Sequence, residues 1–206
     1  MKHIVKSKEP QALLDFKSEF KRKHKRDAIY ENISAGAKKS LKASLFFEQY
    51  YLCCYCMKRI KPGNSHIEHI KPQSRNPTLT LDYSNMLVSC NGIEDRNEHC
   101  GHNKDGWYDE NDFVSPLDKD CEETFSYCVS GQIGSSKKNG KTTIDRLNLN
   151  SLLLIRARKA LIELSGLFEE DFDQRKRDIL EYYTVPNSDN ELPPFCIAIV
   201  YCISNY

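Results

Sequence analysis

The chain has 206 residues, enough for one sizeable domain or a small domain with helical attachments. Apolar residues make up 39% and charged residues 29%, with mean hydropathy at -0.62, which excludes disordered, collagen-like and membrane-embedded classes. The net charge of +1 hides an asymmetry, because residues 1–61 hold 15 Lys/Arg against 6 Asp/Glu while residues 62–206 hold 15 against 23. A basic amino-terminal third suits contact with a phosphate backbone, although a solvated helix face is the commoner meaning of such a run.

Residues 10–50 read as helical in two pieces. Pro10 suits a first turn, and Leu13, Leu14, Phe16 and Phe20 recur near the 3.6 period. The charged run from Lys21 to Arg26 follows, and Ser34-Ala-Gly36 marks a break before Leu41, Leu45, Phe46 and Tyr50. From residue 53 to about 105 the texture changes to short segments rich in Cys, His and Asn. Pro62-Gly63-Asn64 signals a turn, residues 66–70 alternate like a strand ended by Pro72, and residues 82–89 open a second strand or a turn-rich link. Residues 125–133 read as a strand reaching a turn at Gly134. The clearest helix is expected over 142–170, with a charged one over 172–183 stopped by Pro186. The longest apolar run, 195–203, falls short of the ~20 residues of a spanning helix and reads as a buried strand or helix. The start, Met1-Lys-His-Ile-Val, opens no secretory signal, so a cytoplasmic, membrane-free protein is expected.

Nine cysteines, an odd number without a secretory signal, point to thiolate metal ligands rather than disulfides. Cys53 and Cys56 have knuckle spacing, and Cys90 and Cys100 supply a second, irregularly spaced pair; together they predict a structural zinc site with no open position for water. Cys54 points elsewhere as a buried thiol. Between the pairs lies His66-Ile-Glu68-His69-Ile-Lys-Pro72. A carboxylate beside an imidazole at a strand end suits metal-assisted hydrolysis, the first holding a divalent cation and the second taking a proton from water. Strand geometry turns adjacent side chains to opposite faces, so a bend is expected to bring Glu68 and His69 to one site. The segment from Gly134 to Thr142 imitates a phosphate-binding loop but separates its glycines by five residues instead of four, which rejects nucleotide binding.

Cys53-x-x-Cys56, Glu68-His69-x-x-Pro72, Asn85, Cys90 and Cys100-x3-Lys104 together resemble the HNH endonuclease motif with its zinc knuckles. Downstream segments, among them Gly131-Gln-Ile133 and residues 143–150 followed by Arg156, extend the resemblance to the PtuB-like HNH family of retron and Septu antiphage systems, over roughly residues 40–165. That resemblance implies an α+β fold: a ββα-metal finger with a structural zinc knuckle, flanked by amino- and carboxyl-terminal helices. It divides the chain into a basic helical segment 1–50, a nuclease core 51–110 and a mostly helical region 111–206 for packing and partner docking. It implies that His69 is the general base, Glu68 the acidic metal ligand, Asn85 the residue tying the loop down, and Cys53, Cys56, Cys90 and Cys100 the zinc ligands. His66 can reach the metal or a phosphate, and its expected place is just outside the metal's ligands. The position after the last cysteine, usually His or Asn, is Gly101, so His102 or Asn103 must complete the catalytic metal site, with His99 a weaker candidate. Arg59, Lys71, Arg75 and Lys104 are either phosphate clamps or solvated cations. The nine residues 91–99 between the last two cysteines are acidic and suit a partner. The implied activity is phosphodiester hydrolysis with Mg²⁺ or Mn²⁺. The implied partners are a nucleic-acid substrate, a PtuA-like ATPase and, in retrons, a reverse transcriptase with its reverse-transcribed DNA. A non-catalytic zinc-ribbon module that binds nucleic acid or scaffolds a complex is the alternative.

Overall fold

Apolar residues three and four apart turn the first fifty residues into two helices in the computed structural model, which describes residues 1–94 and 97–205. Helix α1 (Gln11–His24) follows Pro10 and ends where Lys25 takes a left-handed φ of 57° and its N–H reaches the Lys21 carbonyl. Helix α2 (Ala35–Glu48) starts at Ser34, whose hydroxyl accepts the Ala37 N–H at 3.2 Å. It buries Ala37, Leu41, Leu45 and Phe46, and packs against α1.

Strand β1 (Ser65–His69) pairs antiparallel with β2 (Met86–Cys90), in a register that sets Ser65 opposite Cys90 and His69 opposite Met86. Every residue of β2 is buried, so its outer edge needs partners that water cannot supply. Gln49 fills that need: Val88 N–H donates to its Oε1 (2.7 Å), while its Nε2 donates to the Val88 carbonyl (2.8 Å). The Cys54 N–H reaches the same carbonyl at 3.1 Å. A two-residue pair, β3 (Ile93–Glu94) and β4 (Asn97–Glu98), follows, and the four-residue helix α3 (Gly101–Lys104) begins next to Cys100. Asp95 and Arg96, in the acidic stretch expected to serve a partner, lie outside the described residues.

The carboxyl-terminal half corrects two expectations. Residues 125–133 are not one strand. They fold as a hairpin of β5 (Ser126–Tyr127) and β6 (Ile133–Gly134), because Gly131 takes a φ of 86° and closes a turn on Cys128. The helix expected over 142–170 is two helices, α4 (Lys138–Arg146) and α5 (Leu152–Glu163), separated where Asn148 adopts φ 47°; its side chain then donates to the Glu98 carbonyl at 2.8 Å. Helix α6 (Phe172–Thr184) lies where the charge pattern placed it, and the apolar run at the end is helix α7 (Cys196–Asn205), packed on α5, α6 and β5. The described residues thus form a mixed α+β chain with three two-stranded sheets. Among the described residues, no helix is long and apolar enough to cross a membrane.

Candidate functional site

Four of the nine thiols are gathered by three separate stretches of chain. The first is a tight loop: Leu52 bridges Arg59, Cys53 N–H donates to the Lys58 carbonyl (2.9 Å), and Met57, with φ 64°, donates back to Cys53 (3.0 Å). This turn aims Cys53 and Cys56 at the end of β2, where Cys90 sits, and at Cys100 before α3. The four sulfurs lie within 4.8 Å of one another and all four residues are buried. Tetrahedral coordination by thiolates ~2.3 Å from a metal would put the sulfurs ~3.8 Å apart, and Cys56 and Cys90 are 3.8 Å apart. The set therefore fits a tetrahedral metal. Burial alone would raise the Cys53 thiol, yet hydrogen bonds from Cys100, Cys54, Cys56 and Cys90 overcome it and hold Cys53 well below the usual range. One thiolate is thus already favoured, and a cation would displace the remaining protons. Cys90 N–H donates to Cys53 Sγ at 3.3 Å, and His99 Nδ1 lies 3.1 Å from Cys100 Sγ. His99 stands beside the sulfurs rather than beside Glu68. Cys54 is buried and outside the set, its thiol pushed up chiefly by burial.

The second cluster grows from the alternation of β1. His66 and Glu68 share one face, and His66 Nε2 donates to Glu68 Oε2 at 3.3 Å. Glu68 is only 7% exposed. Burial pushes its carboxyl up, but His66 and Lys104 outweigh that and keep it below the usual carboxylate range, hence ionised. Lys104, expected at the surface, is 2% exposed; its Nζ lies 2.9 Å from Glu68 Oε1 and donates to the His69 carbonyl at 3.0 Å. Tyr55 donates to the same oxygen, Glu68 Oε1, at 3.0 Å. Gly101 closes the cluster. A Cβ there would stand 2.5 Å from Glu68 Oε2 and 2.6 Å from His66 Nε2, so no side chain fits without moving them. The His102 ring lies 4.8 Å from that of His66, edge to face. Asn103 instead turns away and donates to the Arg146 carbonyl at 2.9 Å. The structure brings His66, Glu68 and His102 together and leaves Asn103 outside. His66 Nδ1 is buried without a hydrogen-bond partner among the described residues.

His69 ends β1 one residue after Glu68, whose negative charge acts on its imidazole. Its Nε2 lies 2.9 Å from the Thr80 carbonyl, which can only accept; the proton is therefore on Nε2, and Nδ1 keeps a lone pair. Burial pushes the imidazole below its ordinary value of 6.5, against the pull of Thr80 and Glu68. The Tyr30 ring packs edge-on against it, centroids 5.0 Å apart. Asn85 holds both ends of the loop that carries Thr80. It accepts Lys71 N–H at 2.8 Å and donates to the carbonyls of Lys71 (3.0 Å) and Leu79 (3.2 Å).

Sequence spacing did not single out Tyr55, Thr80 or Lys104 as partners of the carboxylate and imidazole. Nor did it single out Arg158, which is buried and donates to the carbonyls of Gly131 and Leu149. Arg59, a candidate clamp, donates to the carbonyls of Tyr50 and Leu192.

No protein-family model matches the chain. A protein of retron Vc95 from Vibrio cholerae serotype O1 biovar El Tor, named provisionally as an HNH endonuclease, is 36% identical over 138 residues, covering 62% of this chain and 66% of that protein. The Septu protein PtuB of Bacillus thuringiensis is 26% identical over 161 residues, 74% of this chain and 56% of that protein. The matched stretch thus spans just under two thirds of the first relative and just over half of the second.

Proposed function

As a member of the HNH endonuclease family of retron and Septu defence systems, this chain, we propose, hydrolyses phosphodiester bonds of nucleic acid. The observation that carries the reading is the pairing on one strand of a carboxylate held ionised with an imidazole held neutral and in a fixed tautomer. Those are the states metal-assisted hydrolysis requires of its ligand and its base. In this reading β1, β2 and α3 form the ββα-metal finger, and zinc occupies the four thiolates in a structural role.

Glu68, His66 and His102 are the residues that would hold a catalytic Mg²⁺ or Mn²⁺. Where relatives of the motif carry His or Asn after the last cysteine, Gly101 leaves room that His66 fills from the neighbouring strand. When bound, such an ion polarises the phosphate and stabilises the departing oxygen. His69 Nδ1 accepts the proton of the attacking water, and the Thr80 carbonyl keeps the imidazole from turning. Lys104 and Tyr55 hold Glu68 in its ionised, fixed position. Asn85 keeps Thr80 in register with His69 by closing the 71–79 loop. A PtuA-like ATPase is the proposed partner, with a retron reverse transcriptase and its DNA as further company.

The test is cleavage of labelled DNA and RNA, in parallel, by the purified chain alone and with its ATPase partner, with and without Mn²⁺. Metal-dependent cleavage of either substrate is expected. Its absence under every condition would overturn the nuclease reading in favour of a binding module. The glycine offers a finer check. In Gly101→Ala the new methyl pushes the ends of His66 and Glu68 aside, so the Mn²⁺ concentration for half-maximal cleavage should rise at least about tenfold. The displaced atoms are side-chain tips, so the melting temperature should fall by no more than about 4 °C.

A further inference from the structure

We propose that the end of the α1–α2 pair is the docking surface for the phosphate backbone of the substrate strand, delivering it to His69; this rests on the nuclease reading above. The charge sits in one place. Lys21, Arg22, Lys23, Lys25 and Arg26 are all exposed at the end of α1, and Lys38 and Lys39 are exposed in the first turns of α2, at the same end of the helix pair. Among the described residues, Asp27 alone answers this run with a direct ion pair, to Lys21 at 3.0 Å.

Contact with the proposed base distinguishes this patch from an ordinary solvated face. The linker between the helices carries Tyr30, whose ring packs edge-on against His69 with centroids 5.0 Å apart. Lys38 Nζ sits over the same ring, 5.0 Å from its centroid. One aromatic side chain therefore separates an exposed cation from the imidazole. The linker also forms a cleft with Thr78, Leu81 and Asp82, flanking the Thr80 carbonyl that fixes His69. Lys42, one turn beyond Lys38, is tied down by the carbonyls of Pro62 and Ser65 and so joins α2 to the start of β1.

Electrostatics favours a polyanion over a protein at this end. Residues 62–206 carry net negative charge, and within a Debye length of ~10 Å at 0.1 M salt such a surface repels a backbone. Net positive charge lies in the amino-terminal third, and the Tyr30–Lys38 edge brings it up to His69. A binding surface of this kind is sequence-tolerant and strongly salt-dependent.

The experiment uses the full zinc-loaded chain in a His69→Ala background without added Mg²⁺ or Mn²⁺, so that nothing is cut. Fluorescence anisotropy with labelled single-stranded and duplex oligonucleotides gives the dissociation constant across a salt series. Lys38→Glu/Lys39→Glu is expected to raise the constant at least about tenfold and to flatten the log–log salt slope by about 1 to 2. The control Lys159→Glu/Lys176→Glu, on α5 and α6, should leave both unchanged. Unchanged affinity and slope in the first variant would overturn the proposal, as would no binding by the parent up to about 100 µM. Intact binding with lost co-purification of the ATPase would also overturn it, by showing that the patch serves a protein. Should the wild-type chain bind through these lysines yet never cleave, the nuclease reading fails while the docking surface stands.

Discussion

Cys56→Ser is expected to release the structural zinc and unfold much of the protein. Structural zinc supplies on the order of 10 kcal/mol of folding free energy in small zinc domains, comparable to the whole stability of a typical domain at about 5–15 kcal/mol. The consequence reaches beyond the knuckle, because Cys54 N–H in that turn and Gln49, tied to its start at Leu52, support β2, and β2 supports the strand carrying Glu68 and His69. Zinc content by elemental analysis and melting by circular dichroism measure the effect. Cys54→Ser is the matched comparison. That thiol is equally buried but lies outside the four-sulfur set, so the variant should keep its zinc and lose only the modest amount an altered core side chain costs. A Cys56→Ser protein with full zinc and an unaltered melt would remove the assignment.

His69→Ala should lower cleavage by about 10²–10⁴-fold, the usual worth of general-base assistance, while leaving zinc content and folding nearly untouched. Its pH dependence has a definite sign. Burial lowers the folded imidazole below 6.5, so the base stays unprotonated at pH values where a solvent-exposed histidine would already be charged. The acid limb of the wild-type rate profile should therefore have its midpoint under 6.5, and a midpoint above it would contradict the assignment. Linkage runs the same way: below 6.5 the unfolded chain binds the proton more readily than the folded one. His69 thus costs stability as the pH falls through 6.5, until the folded form also titrates. His69→Ala should shift acid denaturation to lower pH.

Much of this site was legible as spacing. The Cys53–Cys56 knuckle, the two later cysteines and the alternation through residues 66–70 are local patterns, and local patterns are what periodicity and ligand spacing record. The split of residues 142–170 into two helices was not legible, because Asn148 in a left-handed conformation is set by its side chain reaching Glu98, 50 residues away. Lys104 misled for a related reason: a lysine in an acidic stretch reads as solvated until the fold lays it between Glu68 and the His69 carbonyl. The different surroundings of His102 and Asn103 also needed three dimensions. Both follow Cys100 closely, and only the pitch of a four-residue helix turns one toward His66 and the other toward Arg146.

The knuckle is also sealed from far along the chain. Met57, in the turn between the first two cysteines and Arg59, gives its carbonyl to the N–H of Phe195, and Cys100 gives its N–H to Leu147. During synthesis at about 5–20 residues per second, Cys53 and Cys56 emerge first and can hold a metal only loosely. The third and fourth sulfurs arrive some tens of residues later, and the backbone locks on Cys100 and Met57 later still. A nascent chain that took up a metal at this stage would hold it in a turn that is still unfinished. Until residue 195 has left the ribosome, a metal held there would lack the lock of Phe195 on Met57 and would be more open to chelators than in the folded protein.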